Sequence, residues 1–138
     1  MRILPVIFLF FTMFSFSQDL ERHRWKNRVL FIYTADKNSD ALENQFNILS
    51  KNKEALLERK LVIYAFTEDA FRFHFDEHWQ KSEKLHQRYI HKNKSFKIFL
   101  LGLDGGIKLE QSSLLTAKKL FATIDEMQMR RREIRNKN

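Results

Sequence analysis

"FKIFLLGLDGGIKLE", Phe96 to Glu110, decides the fold, because it holds all three glycines of the chain: Gly102, Gly105 and Gly106. Glycines gathered in one place serve either a loop that cradles a phosphate or a tight turn. A nucleotide loop leads from a strand into a helix with a fixed glycine spacing. Here Asp104-Gly105 lies between two apolar runs instead. That is the signature of a β-hairpin, because positive φ is cheap for glycine and tolerable for aspartate. The stretch predicts strand, turn and strand. Gly106 supplies a bulge, Ile107 and Leu109 point inward, and Lys108 and Glu110 point out.

Two further strands lie upstream. "RVLFIYT", Arg28 to Thr34, and "KLVIYAFT", Lys60 to Thr67, are β-branched and aromatic without alternation, as strands buried on both faces are. Between them, Asp40 with Glu43 resembles a capping box, and Leu42, Phe46, Leu49, Leu56 and Leu57 follow helical spacing. A helix joining two buried strands predicts a right-handed βαβ unit with parallel pairing. "FRFHFDEHWQKSEKLHQRYIHK", Phe71 to Lys92, reads as a loop leading into a helix from about Asp76 to His91. After the hairpin, Thr116 caps a helix whose stripe is Leu120, Phe121, Ile124 and Met127. The order β-α-β-α-β-β-α predicts an α/β, thioredoxin-like three-layer fold with a mixed sheet.

The first residues read as a leader. Arg2, an apolar run from Ile3 to Phe16, and Ser15-Phe16-Ser17 before Gln18 follow the charged, apolar and small-residue plan of a secretory signal. The run falls short of the roughly 20 residues that span a membrane. The expected division is therefore a signal peptide over 1–17, a thioredoxin-like domain over 18–129 and a basic tail over 130–138. The product is expected to be exported, periplasmic or secreted, and not membrane-spanning after cleavage. Removing the leader takes one cation and no acid from 25 cations and 17 acids, so the charge becomes 24 − 17 = +7. The only proline, Pro5, leaves with it, and the chain has no cysteine. Disulfides and thiol chemistry are thereby excluded. Thioredoxin enzymes carry Cys-x-x-Cys where the first strand meets the first helix. The corresponding "YTADKNSDA", Tyr33 to Ala41, has no thiol, and Lys94-Ser95 stand where those enzymes place a cis-proline.

Three stretches together resemble domain-of-unknown-function family 4174, thioredoxin-like domains of exported bacterial proteins and of animal matrix proteins with sushi repeats. "WKNRVLFIY", Trp25 to Tyr33, is similar to the family's Trp-x-Asn-Arg lead into its first strand. "FLLGLDGGIKL" is similar to its Gly-Lys-Asp-Gly-Gly-x-Lys hairpin, and "LFATIDEMQMRRRE", Leu120 to Glu133, to its Leu-Phe-x-x-Ile-Asp-x-Met-Pro-Met-Arg ending. Leu103 stands where the family usually has Lys, and Gln128 where it usually has Pro. The resemblance implies a secreted, redox-dead module, associated in its animal members with adhesion and matrix binding, and no enzyme activity.

Candidate sites are few. His74, Glu77 and His78 follow the His-x-x-Glu-His order of inverted zinc proteases. On a helix the two histidines would share a face and reach one Zn²⁺, so a metal-dependent hydrolase is the alternative function. That chemistry needs a third protein ligand and a larger scaffold, so no metal, cofactor or catalytic residue is assigned. Arg28, Asp104 and Lys108 are candidates for a polar cluster at a sheet end; the plainer reading is a turn-forming Asp104 and a solvated Lys108. "MRRREIRNKN" sets Arg130, Arg131, Arg132, Arg135 and Lys137 against Glu133. Such a run either attracts a polyanion or an envelope or extracellular protein, or only complements a helix C-terminus, worth about 0.3–1 kcal/mol. Nucleic acid is not an expected partner, since no aromatic residue interleaves with these arginines for base stacking. A purely structural domain with no small-molecule site is the remaining alternative.

The leader carries its own test. Mass spectrometry of the native product is expected to give an N-terminus at Gln18; an intact Met1 on a cytoplasmic protein would refute export.

Overall fold

A computed structural model describes residues 23–90 and 95–137. The expected leader and the end of the helix expected to reach His91 lie outside the described residues. The strands are β1 (Arg28–Thr34), β2 (Leu61–Phe66), β3 (Ala70–Phe73), β4 (Gln80–Lys81), β5 (Phe96–Leu101) and β6 (Ile107–Gln111). The helices are α1 (Asp40–Ser50), α2 (Lys53–Glu58), α3 (Lys84–Tyr89), α4 (Ala117–Asp125) and α5 (Gln128–Lys137). Among the described residues the strands form one sheet in the order β4-β3-β2-β1-β5-β6. β1 runs parallel to β2 and antiparallel to β5, as the βαβ unit and the hairpin require.

Both faces of this sheet are covered. Leu30 and Ile32 of β1 turn to one face with Ile63, Ile98 and Leu100, under Leu42 and Leu49 of α1, Leu56 of α2 and Leu120 and Ile124 of α4. Val29, Phe31 and Tyr33 turn to the other, with Phe66, Phe99 and Leu85 of α3. This is why every residue of β1 is buried, and why its sequence shows no alternation. The three layers make a thioredoxin-like α/β fold.

Local details differ from expectation where polar chemistry outvotes apolar spacing. The α1 cap is Ser39, whose side chain accepts from Leu42 N, one residue before the expected Asp40. The helical run breaks at Lys51-Asn52 into α1 and α2, and the break turns Leu57 outward to 79% exposure. Asp76–His91 is not one helix. Phe71 and Phe73 alternate because β3 pairs with β2, β4 follows, and α3 begins only at Lys84. In the hairpin, Leu100 faces Leu109 but Leu101 faces Ile107, so Lys108, and not Gly106 as expected, is the extra residue. A one-residue bulge reverses every side chain beyond it. Ile107 therefore leaves Leu109's face and is 49% exposed. Gly105 takes the positive φ of the turn, at +81°.

One contact was invisible in the sequence. Gln45, fully buried on α1, donates from Nε2 to Leu115 O at 3.0 Å and accepts from Leu115 N at 2.8 Å. Its amide thus completes the backbone bonds of a buried loop residue before α4. Gln45→Ala leaves both groups unpartnered and is expected to cost about 2–4 kcal/mol, read as a lowered urea midpoint with an unchanged slope.

Candidate functional site

The sheet end at the start of β1 gathers three segments far apart in sequence. The lead-in is fixed first. His23 is buried against the rings of Tyr64 and Phe73. Asn27 donates its amide to His23 Nδ1 at 3.1 Å, so Nε2 carries the proton toward the Tyr64 hydroxyl, 2.8 Å away. Trp25 between them is tethered by its N–H to Leu103 O at 2.7 Å and sits at φ 68° with 59% of its surface exposed. A bulky residue in that region costs about 1–3 kcal/mol and persists only where its surroundings impose it.

The hairpin turn is the second segment. Asp104 Oδ1 accepts from Gly106 N at 2.9 Å, and its Oδ2 receives Lys108 Nζ at 3.1 Å. These bonds, the backbone one foremost, hold its carboxyl below the usual range. A Cβ at Gly102 would stand 2.7 Å from Lys108 Cε, so glycine there leaves room for the lysine to cross to Asp104. The third segment is the corner between α4 and α5, where Met127 packs on the core and Met129 is 37% exposed.

Behind them lies a network of ions. Arg28 has no exposed surface; its Nη1 donates to Arg59 O at 2.8 Å and to Glu133 Oε2 at 3.3 Å. Arg59 grips Asp125 through two bonds of 3.1 and 3.0 Å. Arg130, 2% exposed, reaches Asp125 at 3.1 Å, Glu58 at 3.0 Å and Glu133 at 3.3 Å. Arg28 Nε alone in that guanidinium is buried without a hydrogen-bond partner among the described residues.

A cleft of about 410 Å³ opens between these segments. Trp25 and Arg28 come from the lead-in, Gly102, Leu103, Asp104 and Lys108 from the hairpin, and Met127, Gln128 and Met129 from the corner. The residues of all three stretches that carried the family resemblance thus line one cavity.

Of the sequence candidates, Arg28, Asp104 and Lys108 meet at this cleft. Arg130 does not join an exposed basic face: it turns inward to three carboxylates. The expected tail is a helix over Gln128–Lys137, on which Arg131 and Arg132 are exposed. His74, Glu77 and His78 are on no helix. His74 follows β3 at φ 55°, half-buried between Phe73 and Phe75, with burial holding its pKa down, while His78 is exposed. Among the described residues no three of His, Asp and Glu group so as to hold a metal ion. The cleft residues that sequence reasoning did not assign to a site are Trp25, Gly102, Leu103, Met127, Gln128 and Met129. Trp25 had one signal, a large aromatic in a polar lead-in; Met127 was read only as core.

The opposite sheet end, where a thioredoxin enzyme keeps its thiols, is differently made. Thr34 Oγ1 donates to Asp36 O at 2.8 Å and shares a second 2.8 Å bond with Ser39 Oγ. An open depression of about 570 Å³ there is lined by Asp36, Glu68, Asp69, Glu83 and Lys37 among others. Such a surplus of carboxylates opposes an anionic nucleophile.

The family model described as "Domain of unknown function (DUF4174)" matches residues 19–133. The chain belongs to this family. Among solved structures it is similar to the crystal structure of the reduced 2-Cys peroxiredoxin of Plasmodium vivax, with a TM-score of 0.62 and 13% identity over 82% of this chain and 72% of that one. At that identity the likeness shows the thioredoxin-like fold alone. No curated protein matches.

The ion network sets two expectations. Glu133→Gln leaves Arg28 without its counter-charge and is expected to cost about 3–5 kcal/mol in chemical denaturation. Burial works against the Asp125 carboxylate, but hydrogen bonds from Arg59 and Arg130 outweigh it, and the pKa lies below the ordinary 3.8. A folded-state pKa below the unfolded one adds stability above the unfolded value and loses it as pH falls through the folded one. Stability is therefore expected to drop below about pH 4, and less steeply in Asp125→Asn. Parallel acid profiles for the two proteins would refute this assignment.

Proposed function

We propose that this DUF4174 chain is an exported, non-catalytic module that binds an envelope or extracellular partner through the cleft at the start of β1. The observation that carries this reading is the convergence of the three stretches on one cavity, while the redox end of the fold lacks any thiol. A scaffold with no thiolate cannot run thioredoxin or peroxidase chemistry. Export rests on the leader pattern of Met1 to Ser17. No helix of the described residues is long and apolar enough to cross a membrane.

The exposed cations of α5 supply a secondary surface. Arg131 and Arg132 can steer an anionic partner toward the molecule, an effect that salt screens. Arg130 has no part in this, since its charge is spent on Asp125, Glu58 and Glu133. The metal-hydrolase alternative has no support from the placement of His74, Glu77 and His78.

A pull-down from envelope extract tests the proposal. Trp25→Ala is expected to lose the specific partner, and Arg131→Ala/Arg132→Ala to weaken capture mainly at low salt. Insulin-reduction and peroxide assays should be blank. Unchanged partners in both variants would refute the cleft as the binding site.

A further inference from the structure

We infer that the cleft takes an uncharged apolar peptide segment of a partner protein, its side chain held between Trp25 and the methionines and its backbone bonded by the Gln128 amide. This rests on the cleft being the binding site, and names what fills it.

Charge is the first argument. Both cations in the cleft wall already have counter-charges: Glu133 lies 3.3 Å from Arg28, and Asp104 lies 3.1 Å from Lys108. An acidic ligand would have to displace a carboxylate that is already in place, and a basic ligand would meet two cations. A ligand without net charge is the complement of such a wall. The cleft thus differs from the outer surface of α5, where Arg131 and Arg132 are exposed.

The polar requirement is small and specific. Arg28 is fully buried and takes no direct part, and Gln128 is the exposed neutral polar side chain on the cleft wall. Its amide both donates and accepts, and peptide backbone supplies a matching N–H and C=O at every residue.

The walls ask for an apolar side chain. Trp25, Leu103, Met127 and Met129 line a space of about 410 Å³, within the range of about 300–1,000 Å³ of ligand pockets. Thioethers adapt to varied apolar shapes, and an indole offers a rigid face. Trp25 and Met129 stay exposed at 59% and 37%, although apolar surface gains from burial. The positive φ of Trp25, imposed by its tether to Leu103, holds the ring at this opening.

The test is an array of end-blocked peptides probed with the purified protein, each with a central Leu, Met, Phe, Asp or Lys in an uncharged context. Heparin fragments serve as the polyanion control. Peptides centred on Leu, Met or Phe are expected to bind with little dependence on salt. Trp25→Ala and Met129→Glu, both at exposed positions, are each expected to weaken that binding about 30-fold, the scale of an interface hot spot, with circular dichroism unchanged. Preference for Asp-centred peptides or heparin, falling with salt and indifferent to Trp25→Ala, would overturn the inference. A partner captured from extract through Trp25, with no apolar peptide bound on the array, would also overturn it and leave the binding-module reading standing. Loss of Trp25-dependent capture together with a blank array would sink both.

Discussion

A guanidinium with no exposed surface governs one end of this molecule. Burying an unpaired cation is prohibitively costly, so Arg28 obliges its surroundings to provide Arg59 O and Glu133. Meeting that need brings α5 back across the start of the sheet. Once there, α5 carries Arg130 to Asp125 and Glu58, and Asp125 in turn holds Arg59. The corner between α4 and α5 is fixed by the same bonds. Met127 and Met129 therefore stand opposite Trp25 because of a charge they do not touch.

How much of this was legible depends on what kind of force set each element. The sheet was readable because its central strands are buried on both faces and the hairpin carries an Asp-Gly turn. The stretch from Phe71 to Tyr89 was misread because Phe75, Trp79, Leu85 and Tyr89 keep a helical spacing that the chain does not use. Pairing of β3 with β2 won over that spacing, a tertiary override of local pattern. Ile107 was misassigned through a single bulged residue, since the two-residue period of a strand forgives no insertion.

The site was half legible. Arg28, Asp104 and Lys108 were recognisable as neighbours because a strand start and a hairpin must share a sheet end. Arg130 was indistinguishable from Arg131 and Arg132, three identical side chains in a row. Only the helical geometry of α5, which turns one of three inward, tells them apart. Trp25 needed a backbone angle that no sequence pattern announces. At the other sheet end, loss of the thiols was plain from composition, while the carboxylates now lining that end come from three separate segments.

The Arg28–Glu133 pair joins residues 105 apart, so it also bears on timing. The first strand is made early, yet its buried cation has no counter-charge until Glu133 has been delivered at the far end of the chain. A chain still emerging from a ribosome holds that strand without the partner its burial requires. Completion of this sheet end thus waits on the arrival of α5. Beyond Pro5 there is no proline, and there is no cysteine, so neither isomerisation nor oxidation imposes a slow step. Closure by this single long-range charge comes late in the chain, yet it needs no slow step of that kind.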